Sequence, residues 1–182
     1  MMSEKVIEDR IMRDTGALGY PDAQVIRNVR ISPDSGRIDL MILPLRGRKK
    51  LALVEVKQAR SPDAASKVIR QLIMYYAASL QIGLRGVAQI REFAGDYQKQ
   101  ARSTGNTSIN RLAGGASSQE AGWRLLQEGR PLKPSEIDLF LALNREPQPK
   151  LVNSLSLLKK SHGLRIRLVV ASGRGVRLGP AV

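Results

Sequence analysis

Residues 36–57 read Gly36-Arg37-Ile38-Asp39-Leu40-Met41-Ile42-Leu43-Pro44-Leu45-Arg46-Gly47-Arg48-Lys49-Lys50-Leu51-Ala52-Leu53-Val54-Glu55-Val56-Lys57, and the fold can be argued outward from them. Two apolar segments, 37–45 and 51–56, flank the basic loop 46–50, which is the pattern of a β-hairpin. Asp39 interrupts the first apolar segment. A buried, unpaired carboxylate costs several kcal/mol, so Asp39 needs a cation, a partner or a wet edge. Glu55 and Lys57 are two apart on a strand and face the same way, with Ala52, Val54 and Val56 facing the opposite side. If the strands pair through the loop, Asp39 falls at the end away from the turn, level with Glu55–Lys57. Two carboxylates and one amine then converge.

Upstream, Ser3 precedes Glu4-Lys5-Val6-Ile7-Glu8, an N-cap followed by acids in a helical first turn. Val6, Ile7, Ile11 and Leu18 give the helix an apolar stripe, and Gly16 and Gly19–Pro21 end it. Residues 24–31 alternate as a half-buried strand, and the turn residues of 32–36 lead into the hairpin. Downstream, Ser61-Pro62-Asp63 starts a helix that runs to about Leu80. Residues 90–134 carry six glycines and predict a mobile insertion or small lobe, with short helices near 92–101 and 118–127. A strand at 136–144, a helix at 149–161 and a strand at 164–171 follow. The expected fold class is α/β: an αβββαβ core with a mixed sheet flanked by helices, plus an added strand–helix–strand.

A chain of 182 residues, 42% hydrophobic, fits one domain over 1–182 with one core. It has no cysteine and one histidine, His162, which excludes disulfides, thiolate metal sites and multi-histidine sites. The N-terminus is too charged for a signal peptide and no apolar run spans a bilayer, so a cytoplasmic protein without a membrane partner is expected. The net charge of +14 attracts polyanions, and nucleic acid is the expected partner. Residues 1–100 nevertheless hold 11 of the 16 acids, in the half that carries Asp39 and Glu55. In the C-terminal half Lys159, Lys160, Arg165, Arg167, Arg174 and Arg177 cluster without nearby acids and are candidates for phosphate contacts. Seven aromatics are too few for a platform that stacks single strands.

Asp39, Glu55 and the backbone carbonyl of Val56 make a donor set that suits Mg²⁺, which takes hard oxygen ligands and keeps several waters. Lys57 would then orient the attacking water and stabilise charge on the phosphate. The competing reading is a buried Asp/Glu–Lys salt bridge without catalysis. Gln71 and Tyr75 share a helix face with Lys67; they either rim a cleft, touching phosphate or holding Lys57, or Tyr75 is core and Gln71 solvated.

GRIDLMI, LVEVK after a gap, and then a helix with Q-x-x-x-Y together resemble the PD-(D/E)XK nuclease superfamily over residues 4–82, and by strand–helix–strand order over 136–171. Asp39 matches the motif's Asp, Ile38 stands where the nominal Pro would be, and Glu55 and Lys57 match the (D/E)XK pair. Gln71 and Tyr75 match the QxxxY element of the RecB-like and type I restriction-like branches. Glu8 matches the helix-one acid, placed as in archaeal Holliday-junction resolvases, and Glu4 competes for that role. The resemblance implies a restriction-endonuclease-like core and a Mg²⁺-dependent deoxyribonuclease, with Mn²⁺ as substitute. Glu8, Asp39 and Glu55 would hold metal, Lys57 would position water, and Gln71 and Tyr75 would line the site. It further implies a homodimer and endonuclease activity. A non-catalytic DNA-binding module on the same fold, or a basic structural nucleoprotein component, are the rivals.

Overall fold

The structure is a computed structural model that describes residues 2–32, 35–47, 50–59, 64–103, 121–127 and 130–182. In chain order the elements are α1 (Glu4–Arg13), a 3₁₀ turn (Thr15–Leu18), β1 (Ala23–Val29), β2 (Ile38–Pro44), β3 (Leu51–Lys57), α2 (Ala64–Leu80), α3 (Leu84–Ser103), α4 (Ala121–Gln127), a second 3₁₀ turn (Pro134–Glu136), β4 (Ile137–Leu143), α5 (Pro149–His162), β5 (Ile166–Ser172) and β6 (Gly175–Leu178). The six strands form one open mixed sheet in the order β1-β2-β3-β4-β5-β6. β1, β2 and β3 are antiparallel neighbours, β3, β4 and β5 are parallel, and β6 returns antiparallel. The start of β2 and the C-terminal ends of β1, β3, β4 and β5 therefore lie at the same end of the sheet.

Helices cover both faces. On one, Ile7, Ile11, Met12 and Leu18 pack with Val25, Leu40, Ile42, Val54, Val56 and Phe140. On the other, Val68, Leu72, Tyr75, Val87, Ile90, Leu151 and Leu155 pack with Ile26, Met41, Leu53, Leu139 and Leu141. Burial on both sides is why β3 and β4 are almost continuously apolar rather than alternating. No helix among the described residues is long and apolar enough to cross a membrane.

α1 starts as the sequence predicts, with the Ser3 side chain accepting from the Val6 N–H. It stops at Arg13 because Asp14 caps the following 3₁₀ turn, taking the Ala17 N–H at 3.1 Å. The expected helix start at 61–63 lies outside the described residues.

Within the described part of 90–134, helices fall where short ones were expected near 92–101 and 118–127, the first of them longer than expected. Residues 90–103 complete the helix that begins at Leu84, with Val87, Ile90 and Ala94 buried in the core; α4 adds Trp123, Leu125 and Leu126. Two glycines of these helices are close-approach positions. A Cβ on Gly86 would meet Ile31 O at 3.2 Å, and one on Gly122 would meet Leu43 Cβ at 2.9 Å and Pro44 O at 3.0 Å. Beside Gly122, the buried Trp123 Nε1 donates to Gln24 Oε1 at 2.7 Å. Residues 104–120 lie outside the described residues. The short strand β6, with its exposed Gly175, Arg177 and Leu178, was too brief for its alternation to register in sequence.

Gly122→Ala forces backbone apart, so it is expected to destabilise the fold by about 1–3 kcal/mol in urea unfolding. Gly95→Ala, whose Cβ meets nothing within 4 Å, serves as the helical control and is expected to be neutral or stabilising.

Candidate active site

Backbone pairing between β2 and β3 is confined to Leu40–Ile42 opposite Ala52–Val54, although both strands continue beyond it. One residue further, Asp39 stands opposite Glu55. Asp39 Oδ2 accepts the Val56 N–H at 2.7 Å, so a side chain ties the two strands together just past the last regular rung. On the other flank Asn28 of β1 sits opposite Asp39 with a φ of 52°. That left-handed conformation is one asparagine tolerates better than most residues.

Lys57 Nζ lies 2.9 Å from Glu55 Oε1, 3.9 Å from Asp39 Oδ2 and 3.8 Å from Glu4 Oε1. It also donates to Val56 O at 2.9 Å. Glu55 is only 1% exposed. From α2, the buried Tyr75 hydroxyl donates to Arg37 O at 2.6 Å, with Gln71 and Glu55 beside it. Gly36, at φ 74°, brings the chain into β2 against that phenol, where a Cβ would stand 3.7 Å from its oxygen. Tyr75 is thus core and at the same time holds the strand that carries Asp39.

Burial dominates the electrostatics here. It pushes the Glu55 carboxyl up to about 7, and the nearby Asp39 charge adds to this against the pull of Lys57. Asp39 is raised by burial too, opposed by the Val56 N–H and Lys57. For Lys57 burial acts downward, but the Glu55 contact and the charges of Asp39 and Glu4 outweigh it, so the amine remains an ammonium. Burial and the two carboxylates hold the Tyr75 phenol above its ordinary value, so it stays a donor.

Glu8 is placed differently. Its Oε2 takes Arg27 Nε at 2.8 Å and Nη2 at 2.5 Å, while Asp9 takes Arg27 Nη1 at 2.9 Å. Burial raises Glu8 despite Arg27, and the Asp39 charge contributes, so Glu8 is near the cluster with its carboxylate already engaged. Glu4, one helical turn earlier, is the α1 acid that reaches Lys57. The cause is Arg27, which β1 aims at α1, a pairing with no sequence signal. Among the described residues no group of three or more His, Cys, Asp or Glu side chains is arranged to hold a metal ion. The structure brings Asp39 and Glu55 together without Glu8.

Three buried side-chain polar atoms among the described residues lack a hydrogen-bond partner: Glu55 Oε2, Gln71 Oε1 and Arg30 Nε. All lie at this end of the sheet, where such groups are most costly unless something binds them.

The basic residues separate into two groups. Lys67 is exposed on α2, one turn before Gln71. Lys159, Lys160, Arg165 and Arg167 sit at the C-terminal end of α5 and the start of β5, at the opposite end of the sheet. The 14-residue length of α5 separates them from the site by about 20 Å. Lys159 donates to Val182 O, and Arg167 pairs with Asp138 at 2.6 Å while stacking 4.3 Å over Phe140. Lys50, Asp138, Arg165 and Arg167 line a cavity of about 340 Å³ there, which holds none of the site carboxylates.

Sequence reasoning missed Asn144 and Arg145. Asn144 Oδ1 accepts the Ala59 N–H at 3.0 Å, and Arg145 Nη2 donates to Ala59 O at 3.2 Å, clamping the segment just beyond Lys57. The available signal was their position after an apolar strand parallel to β3, the end at which sites gather in α/β sheets. No family model, curated protein or solved structure matches the chain.

The Glu55 shift has a definite sign. Above pH 4.5 the unfolded chain loses this proton while the folded state keeps it to about 7, so stability falls as pH rises through that window. In Glu55→Gln that loss is absent. Its unfolding free energy relative to wild type is expected to rise by at most about 3 kcal/mol between pH 5 and pH 8 in urea titrations. Parallel pH profiles for the two proteins would show that Glu55 is not buried and protonated as described.

Proposed function

We propose that the protein is a metal-dependent nuclease that hydrolyses DNA phosphodiester bonds, built on a restriction-endonuclease-like core. The observation that carries this reading is the meeting of Asp39, Glu55 and Lys57 at a buried sheet end, with Glu55 Oε2 left without a partner.

The donor set fits Mg²⁺. The Asp39 charge adds to burial in raising the Glu55 carboxyl, so the pair favours an added cation. Mg²⁺ is commonly held by one or two carboxylates together with waters and substrate phosphates. Asp39, Glu55 and the Val56 carbonyl would hold it, with Mn²⁺ as a substitute. When bound, it would supply charge neutralisation at the phosphate and a water of lowered pKa.

The chain's own groups do the rest. Lys57, an ammonium, donates to the attacking water and to the phosphate oxygen on which charge develops. Tyr75 fixes the start of β2 and with it Asp39. Gln71 presents an unpartnered amide oxygen beside Glu55 and can orient water. Glu4 reinforces the positive charge state of Lys57, and Glu8 could join only by leaving Arg27.

The second reading is a non-catalytic DNA-binding module. It is favoured by Lys57 itself, whose ammonium already partly compensates the carboxylates. A purely structural basic protein leaves the buried acids unexplained, since an apolar replacement is often as stable.

Supercoiled plasmid is expected to be cut with Mg²⁺ or Mn²⁺ and left intact with EDTA. Lys57→Ala and Asp39→Ala are expected to lower the rate by about 100-fold or more, with circular dichroism showing both still folded. Mg²⁺ should also raise the melting temperature of wild type and not of Asp39→Ala. Salt-sensitive binding without cutting, under every divalent ion tried, would establish the binding module instead.

A further inference from the structure

Resting on the nucleic-acid reading above, we infer that the duplex crosses the site end of the sheet on a row of arginines, one from each of four strands beside the site. The C-terminal basic cluster at the far end does not carry it.

The row follows from register. Val29 pairs with Ile38, so Arg30 after β1 stands level with Arg37 before β2. Leu40 pairs with Val54, which puts Arg37 level with Lys57, and Lys57 pairs with Leu143 two residues before Arg145. Leu143 pairs with Val170, so Arg174, in the turn after β5, comes up just beyond Arg145. Antiparallel and parallel neighbours thus deliver a cation at the same end from each of β1, β2, β4 and β5, with Lys57 of β3 in the middle.

These arginines are not tied up by acids, although Arg145 Nη2 also donates to Ala59 O at 3.2 Å. Among the described residues none of Arg30, Arg37, Arg145 and Arg174 has a carboxylate partner, in contrast to Arg27, Arg130, Arg167 and Arg177. Arg30 Nε is buried and without any hydrogen-bond acceptor. Arg37, Arg145 and Arg174 are exposed. Among the described residues, Glu4, Asp39 and Glu55 surround Lys57, Glu8 and Asp9 hold Arg27, and Glu146 pairs with Arg177.

The scale matches one nucleic-acid strand. Neighbouring strands lie about 4.8 Å apart, so β1 to β5 spans about 19 Å. A DNA strand carries one phosphate per roughly 3.4 Å of axis, which places about five phosphates along the row. Lys57 and the Asp39–Glu55 pair fall near its middle, where the scissile phosphate belongs. At the far end Arg167 is neutralised by Asp138 and Lys159 is turned to the C-terminal carbonyl, and about 20 Å separates them from the reacting groups.

The test is fluorescence anisotropy with a short labelled duplex in Ca²⁺, over a salt series, beside plasmid cleavage in Mg²⁺. Each of Arg37→Ala, Arg145→Ala and Arg174→Ala is expected to lower the slope of log affinity against log salt by about one. The Arg145→Ala/Arg174→Ala pair is expected to weaken binding about tenfold at physiological salt. Arg124→Ala is the charge-matched control: it is exposed on α4, which packs on Leu43 and Pro44 at the far end, and should leave the slope unchanged. The Arg37 carbonyl that Tyr75 uses survives its alanine variant, and thermal melts check the fold of each. A larger loss from Lys160→Ala/Arg165→Ala than from Arg145→Ala/Arg174→Ala overturns the row. Wild type that cuts DNA while the row variants match it overturns the row and spares the nuclease reading; wild type that binds no DNA overturns both.

Discussion

The ammonium of Lys57 seated among Glu55, Asp39 and Glu4 is the contact on which this end of the molecule depends. Glu55 is buried almost completely, and an ionised carboxylate in that position is costly without a nearby positive charge. Lys57 offsets part of the cost, and Asp39 competes for the same cation. The result is a cluster with more acid than its single amine can satisfy, in which Glu55 titrates near neutrality. A protein selected for stability alone has no reason to keep such a group between two apolar layers. That imbalance, rather than the presence of acidic residues as such, makes this place a candidate for catalysis.

The surrounding fold holds the imbalance in position. Regular pairing between β2 and β3 stops at Leu40 and Val54, and beyond it Asp39 binds backbone that a continuing ladder would use. Tyr75 reaches from the opposite layer to the Arg37 carbonyl, fixing where β2 begins. Asn144 and Arg145 hold the chain that leaves β3. The site is therefore gripped from α1, α2 and the end of β4, elements brought together only by the sheet order.

Much of this was legible in the sequence, because strand periodicity is a local property. Asp39 inside an apolar run and Glu55-x-Lys57 at the end of the next run are enough to bring the acids and amine together, once a hairpin joins the runs. The spacing of Gln71 and Tyr75 likewise sets them on one helix face. Glu8 was harder. It and Glu4 lie one turn apart on α1, and only the location of Arg27 on a neighbouring strand separates them. The helix containing Gly86 was expected only from about residue 92, because the close approach at Gly86 leaves no trace in a single chain's periodicity.

Charge shows the same division. Net charge and clustering in sequence predict a polyanion partner without locating its path. Arg165 and Arg174 are nine residues apart and looked like one patch, yet a strand runs between them and carries them to opposite ends of the sheet. Composition, the hairpin and the amphipathic helices were set by the sequence itself, since each depends on neighbours within a turn or a strand. Which acid meets Lys57, which arginines stand beside it and which cations are already paired were decided by the tertiary structure. Those outcomes rest on contacts between residues far apart in the chain, where register and layer packing, not local propensity, determine who meets whom.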